Sequence, residues 1–529
     1  MEIMILDCTL RDGGYINNWK FGNACIRNTI QKLGESNIDI IECGFLRDIV
    51  YDEEVSVFSS VDQFAAVIGE KKEGSIYVAM IAIGDIAIEK IEPARADSID
   101  GIRITFHEHE QDITFKAARE LMDKGYKVFI QPVGTSTYTD KALYELVERV
   151  NSLHPYAFYI VDTLGCMYQD DLLYTFQLID KNLDEGIVCG YHSHNNLQLA
   201  FSNAQELVKT NSNRKMILDS SVFGMGRGAG NLCTELLADF INKKVRPRYD
   251  LIPILEIFDE YLQDLVQDVS WGYKFPYFLA AVKGCHPNYA DNLLGKKTLS
   301  IKAINIILDR IPEENRALYD SSVVTGLYFQ YQTRAIDDSD AIAQLKEELG
   351  GKRVLILGPG PSVLSKQEEI RAFIDEYKPA IISVNYVPDE YDVDMMFISN
   401  AKRFKAVYKQ KGTVARKVIA TSNLPQVLGE QNYPINYGNF ISHDAEGDNA
   451  GVMLCRLLIS LGVNEIYLAG FDGFSIAESA NNFYNSEIVL SDQKKAYDEK
   501  NKNIKKQFDS LQKGVPVTFL TRSAYSDEN

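Results

Sequence analysis

The residues best suited to chemistry lie in two short clusters far apart in the chain. The first is Leu6-Asp7-Cys8-Thr9-Leu10-Arg11-Asp12-Gly13-Gly14, which follows the apolar run Ile3-Met4-Ile5 and sets one cation among two carboxylates and two glycines. The second, Tyr191-His192-Ser193-His194-Asn195, closes another apolar run. On an extended segment, residues i and i+2 share a side, so both imidazoles point the same way. Asp12, His192 and His194 can therefore converge on one divalent metal from two strand ends. A carboxylate and two imidazoles leave coordination positions open, which suits a catalytic site.

Something must carry these clusters to one place. Apolar, β-branched runs recur at residues 3–6, 38–41, 76–83, 102–106, 128–130, 158–161, 187–191 and 216–222, with helical patterns such as 24–33, 114–124, 141–153 and 197–209 between them. Eight β-α units predict a (β/α)8 barrel, with an open doubly wound sheet as the alternative. In such a barrel the active site sits at the carboxyl ends of the strands. Polar residues fall there: Arg11 and Asp12 after the first run, Glu42 and Cys43 closing the second, His107 and His109 after the fourth. Gln131, Asp162 with Thr163, and the His192–His194 pair follow the next three, and Asp219, Ser220 and Ser221 lie in the last. Glu42, Gln131, Asp162 and Ser220 are candidates to contact substrate, and orienting Arg11 is the alternative for Glu42 and Asp162. The loop Gly224-Met225-Gly226-Arg227-Gly228-Ala229-Gly230-Asn231 precedes a helix. Its glycines let backbone approach a ligand, and a helix start favours anions.

Residues 247–333 read as a helical, aromatic extension interrupted by His286-Pro287, and 335–349 as a polar helix or linker ending at Gly350-Gly351-Lys352. A second β-α pattern follows, with strands at 354–357, 381–384, 395–398, 418–421, 465–469 and 517–520. This predicts a doubly wound parallel sheet with ligand-binding residues at its carboxyl rim. Gly358, Gly360, Ser362, Asn385 and Asn400 hold that rim, the glycines offering open backbone N–H groups to a phosphate. The expected domains are a barrel over 1–245, a helical extension and linker over 246–340, and a Rossmann-like nucleotide or nucleotide-sugar domain over 351–529. The charged run 492–506 reads as a solvated helix.

Composition bounds the alternatives. The 529 residues carry a formal charge of −19, which argues against general nucleic-acid binding. Eight cysteines without a CxxC pair read as reduced thiols. No basic-then-apolar leader and no apolar run of roughly 18 to 20 residues is seen, so a cytoplasmic protein without a membrane span is expected, as a homo-oligomer.

Thr9-Leu10-Arg11-Asp12-Gly13, the stretch from His192 through Asn195-Asn196 to Leu197-Gln198-Leu199-Ala200, and Gly228-Ala229-Gly230-Asn231-Leu232-Cys233-Thr234-Glu235 together resemble a known group. They are similar to the pyruvate aldolases and acyl-CoA lyases and synthases that share a metal-dependent barrel, and most of all to 4-hydroxy-2-oxovalerate aldolases. The resemblance covers roughly residues 1 to 300. It implies a divalent cation, manganese or magnesium with zinc or cobalt as alternatives, on Asp12, His192 and His194, approached by Asn231. It implies that Arg11 holds the developing enolate, which a metal and a guanidinium can neutralise together. Where these aldolases carry an acid–base histidine three residues after the metal aspartate, this chain has Tyr15. Either a metal-bound water, His107, His109 or Tyr15 then transfers the proton, or the substrate differs from that of the aldolases.

The stretches Val354–Ser362 and Ala450–Asp472 resemble bacterial sialyltransferases and related flagellin-glycosylation domains. That resemblance implies cytidine nucleotide-sugar contacts from Gly358, Gly360, Ser362 and Asn385. No histidine follows His443, so those enzymes' downstream base is missing. The expected activity is a metal-dependent aldolase joining or cleaving a 2-oxo acid and an aldehyde, the aldehyde being a sugar or nucleotide-sugar in surface-polysaccharide synthesis. An acyl-CoA lyase or synthase, and a glycosyltransferase, are the competing expectations.

Overall fold

A computed structural model describes residues 2–210, 212–268, 271–296, 299–411, 417–424, 431–441, 449–474, 497–511 and 514–526. The chain divides into two compact units, 1–292 with 311–321, and 293–310 with 322–529. This does not follow the expected boundaries at 245 and 340. The helical stretch is not one extension but is shared between the units. The expected aromatic cluster joins the first: Trp271 Nε1 donates to the Phe223 carbonyl, and Phe223 packs on Phe258.

The first unit is a barrel. Its strands are β1 (Ile3–Asp7), β2 (Ile40–Leu46), β3 (Val57–Phe58), β4 (Ile76–Ala82), β5 (Gly101–Phe106), β6 (Lys127–Pro132), β7 (Ala157–Asp162), β8 (Val188–Ser193) and β9 (Met216–Ser220). All pair in parallel in the order β1-β9-β8-β7-β6-β5-β4-β2-β3, and a β1–β2 pairing closes the ring. The two-residue β3 hangs on β2 outside the ring of eight.

The strands bury both faces, as βαβ geometry requires. Met4, Leu6, Ile40, Val78, Phe129, Tyr159 and Ile217 fill the barrel interior. Alternate residues such as Ile3, Ile5, Ile102 and Ile104 pack outward in the main core, which also takes in Ala118, Leu121, Leu146 and Val150 of the surrounding helices. By the same parity Glu42, Arg103, Gln131, His192 and Asp219 share the inward side of their strands. β2 continues past Glu42 and Cys43, and its register against β4 shifts between Glu42 and Phe45. Gly44 sits in that irregularity at φ 146°, where a Cβ would collide with the Ser56 carbonyl.

The second unit holds β10 (Arg353–Leu357), β11 (Ala380–Val384), β12 (Met395–Ile398), β13 (Lys417–Thr421), β14 (Gln431–Ile435), β15 (Glu465–Ala469) and β16 (Val517–Phe519). They form one parallel sheet in the order β14-β13-β12-β11-β10-β15-β16. The order reverses between β10 and β15, so the ligand crevice of a doubly wound sheet falls there. Helix Ala450–Leu461 packs its buried face on the sheet, started by Asn449, whose side chain accepts from the Gly451 N–H, and stopped at Gly462. Of the run expected to be helical at 492–506, only its later part is described, within helix Tyr497–Asp509. No described helix is long and apolar enough to cross a membrane.

Candidate active site

β1 and β8 end side by side with β9 between them, which sets the two clusters together. After Asp7 the backbone turns tightly: the Arg11 and Asp12 N–H groups both return to the Cys8 carbonyl, and the Asp7 carboxylate accepts from Thr9 N–H and Thr234 Oγ1. That turn aims Asp12 inward. Asp12, His192 and His194 are buried, and their donor atoms all lie within 4.8 Å of one another. A bridge between His194 and Asn231 brings the glycine-rich loop alongside. Asn231 Nδ2 donates to Asp12 Oδ2 at 2.8 Å and to the Met225 carbonyl at 3.1 Å.

The cluster fits a cation on its unsatisfied atoms. His194 Nδ1 and Asn231 Oδ1 are buried without a hydrogen-bond partner, which is costly unless something else binds them. His192 Nδ1 lies 3.0 Å from Asp219 Oδ2, which leaves Nε2 for a metal, the usual arrangement of a ligating imidazole. Burial, partly opposed by Asp12, pushes His194 down to about 3, so its ring is neutral and able to coordinate at neutral pH. Burial alone would raise the Asp12 carboxyl, but Arg11, then His194, His192 and Arg227, hold it well below the usual carboxylate range.

Beneath the cluster runs an ionic chain that crosses the barrel. Arg11 donates through Nε to Glu42 at 2.8 Å and through Nη1 to Asp12 at 2.5 Å. Arg103, fully buried, pairs with the same Glu42 oxygen at 2.7 Å and with Asp219. Asp219 in turn holds His192. Burial would raise Asp219, and Arg103 and His192 outweigh it and lower its pKa. Arg103 escaped the strand-end rule because it lies inside β5. Its signal was a charge within the apolar run 102–106, on the inward-facing parity.

The remaining candidates divide. Gln131 is buried at the end of β6 with Nε2 unpartnered. Tyr15 is 37% exposed on the short helix Gly13–Ile16, and the Arg227 guanidinium stands 5.1 Å from its ring centre. His107 and His109 follow β5 with rings stacked 5.9 Å apart; burial lowers the half-buried His107. Asp162 spends both carboxylate oxygens on the Cys166 and Met167 N–H groups, and burial pushes it up to about 6. Ser220 Oγ lies within hydrogen-bond distance of Thr234 Oγ1, at 2.8 Å, and the Thr234 proton is already given to Asp7. Asp162 and Ser220 thus brace loops. His286, buried on the loop before helix Pro287–Gly295, was noted in the sequence only as an interruption.

In the second unit the expected phosphate cradle is corrected. The N–H groups of Gly358 and Gly360 are not open: each donates at 2.8 Å to a carbonyl, of Ala469 and Gly470. Ser362 gives its N–H and hydroxyl to the Asp472 carboxylate. A Cβ on Gly360 would collide with Asp472 and stand 2.6 Å from the Gly470 carbonyl. The glycines let the β10 and β15 loops touch, and the carboxylate between them repels a phosphate. Asn385 Oδ1 accepts from Ser399 N–H, and Asn400 Oδ1 accepts from Arg403 N–H at the start of helix Ala401–Lys411. His443 lies outside the described residues.

With this geometry in hand, comparison with known proteins is informative for the first half. A family model described as HMGL-like matches residues 2–259. An oxaloacetate decarboxylase of Mycobacterium tuberculosis is 26% identical over 270 residues, 50% of this chain and 77% of that protein. A 4-hydroxy-2-oxovalerate aldolase of Geobacillus thermodenitrificans is 25% identical over 274 residues, again 50% of this chain and 77% of that protein. Among solved structures, the N-terminal domain of a proposed aldolase from Bacteroides vulgatus aligns with a TM-score of 0.48 at 23% identity, covering 56% of this chain and 98% of its own.

Proposed function

We propose that the barrel makes or breaks a carbon–carbon bond between the enolate of pyruvate and an aldehyde. The chain is an enzyme of the lyase class, built on a barrel similar to the HMGL-like family and working with a divalent metal. The observation that carries the finer reading is the placement of Arg11. Its Nε and Nη1 are fixed by Glu42 and Asp12, while Nη2 has no acceptor among the described residues. A guanidinium held this way offers a preorganised N–H to an oxygen that gains charge, without reorganising during the reaction.

Asp12, His192 and His194 would hold the cation, with Asn231 Oδ1 beside them. When bound, a divalent cation there supplies Lewis-acid polarisation of a 2-oxo group. Manganese and magnesium suit the mixed oxygen–nitrogen donors, and zinc and cobalt fit the same set. Gln131 Nε2, buried and unpartnered, is the candidate to donate to the substrate carboxylate. His107, kept neutral by burial, is the candidate to take a proton, with His109 stacked beside it and Tyr15 a separate candidate. An acyl-CoA lyase of the same barrel is the second reading.

For the second unit, the parallel sheet and its order reversal between β10 and β15 support a nucleotide or nucleotide-sugar module. The link to surface polysaccharide rests on that analogy alone. The test of the barrel's role is pyruvate release from aldol adducts of graded chain length, followed by coupled reduction to lactate. Release should require added divalent metal and vanish in Asp12→Ala. Adducts left intact by metal-loaded protein would count against an aldolase.

A further inference from the structure

The Gly224–Asn231 loop carries a cation that the proposed reaction has not used. A Cβ on Gly226 would collide with the Asn231 amide and stand 3.0 Å from Asp12 Oδ2, so this loop lies directly against the metal cluster. Arg227 comes next. Its Nε is buried without a partner, and none of its side-chain N–H groups donates to a described residue. Among the described residues no carboxylate lies within 4.0 Å of it, whereas Arg11 and Arg103 each pair with two. The guanidinium is nevertheless held in place, 5.1 Å from the Tyr15 ring centre, and that ring packs edge-on against Trp19 at 4.9 Å. Stacking fixes the plane of the guanidinium and leaves its N–H edge unused.

The surroundings also favour a negative group. A Cβ on Gly228 would stand 3.3 Å from Pro287 Cβ, so the His286 loop packs on the same segment. His286 Nδ1 accepts from the Asn288 N–H, which places its own proton on Nε2. Burial first, then Arg227, His194 and His107, keep that ring neutral. A half-buried cation whose buried Nε has no partner, on a loop packed against a neutral imidazole, is a pocket for an anion.

We propose that Arg227, stacked on Tyr15 and seconded by His286, binds a second anionic group of the substrate, so that the aldehyde partner carries a carboxylate or a phosphate. This rests on the aldolase reading above and narrows its substrate class. It also accounts for the tyrosine at position 15, whose aromatic face carries the arginine.

The test compares aldehydes of similar size in metal-loaded full-length protein with pyruvate: succinic semialdehyde against butanal, and glyceraldehyde 3-phosphate against glyceraldehyde. Deuterium exchange of the pyruvate methyl protons is followed in the same samples. Wild type should favour at least one anionic aldehyde in kcat/KM by about tenfold or more, as a charged hydrogen bond does. The favoured pair tells carboxylate from phosphate. Arg227→Met should bring that ratio to about one. Arg227→Gln, which keeps the length and a polar end, reads the same ratio if the methionine variant does not fold. Exchange in wild type with no anionic preference would overturn this inference and leave the aldolase reading standing. Absence of exchange would overturn both. A preference that survives both substitutions would move the anion site elsewhere.

Discussion

Replacing Arg103 should damage the barrel and its metal site together. The side chain is fully buried and is the shared counter-ion of Glu42 and Asp219. Arg103→Met keeps most of the volume but strands two carboxylates in the interior, of which Glu42 retains Arg11 and Asp219 retains only His192. Removing one partner of a buried ion pair costs about 3 to 5 kcal/mol. For a unit of this size that corresponds to a fall in Tm of roughly 5 to 8 °C. Asp219 would then draw a proton or pull His192 out of line, and losing such a partner weakens metal binding by about 10- to 100-fold. Thermal melts of metal-free protein read the first effect, and calorimetric titration with manganese reads the second. Arg103→Lys, which keeps a charge but loses the fork, should fall between. A methionine variant within about 1 kcal/mol of wild type, with unchanged manganese affinity, would refute the account of this ionic chain.

Arg11→Ala should lower kcat by about 10² to 10³, the effect of removing one preorganised oxyanion donor, while manganese still binds in calorimetry; a near-normal rate would remove Arg11 from the chemistry. Asp219→Asn should weaken metal binding by about 10- to 100-fold with little change in far-ultraviolet circular dichroism. His194 and His286 both have pKa values lowered in the folded state, so the unfolded chain binds more protons below its ordinary histidine pKa. The stability of metal-free protein is therefore fully present above about pH 6.5 and should fall by up to about 2 kcal/mol per histidine between pH 6.5 and 5; urea melts at the two pH values check this, and a flat profile would contradict it. Gly360→Ala should destabilise the second unit by about 1 to 3 kcal/mol, because its Cβ has no room against Asp472 and the Gly470 carbonyl; an unchanged melt would contradict the packing described.

Much of the barrel was legible because a parallel strand buried on both faces is a short β-branched run that few other structures use. The metal triad was legible for a related reason: period two puts His192 and His194 on one side, and a strand end delivers Asp12. What the strand-end rule hid was Arg103, whose partners Glu42 and Asp219 come from strands distant in sequence. Glu42 itself lies inside β2 rather than at its end, because the irregularity at Gly44 lets the strand run on to Leu46. β14 was not expected at all. Gln431-Asn432-Tyr433-Pro434-Ile435 is polar and holds a proline, which an edge strand tolerates and a central one does not. The Gly358–Ser362 run showed that backbone could approach something closely. It could not show that the neighbour is a carbonyl and a carboxylate of the same sheet rather than a phosphate.

The most direct measurement of the central claim is proton exchange at the pyruvate methyl group, followed by nuclear magnetic resonance in deuterium oxide with no aldehyde present. Forming the enolate is the step that Arg11 and the Asp12–His192–His194 site together are arranged to promote. Metal-loaded protein should wash deuterium into the methyl group, chelation should stop it, and Asp12→Ala and Arg11→Ala should each abolish or nearly abolish it. Pyruvate that keeps its protons beside metal-loaded, folded protein would contradict the account.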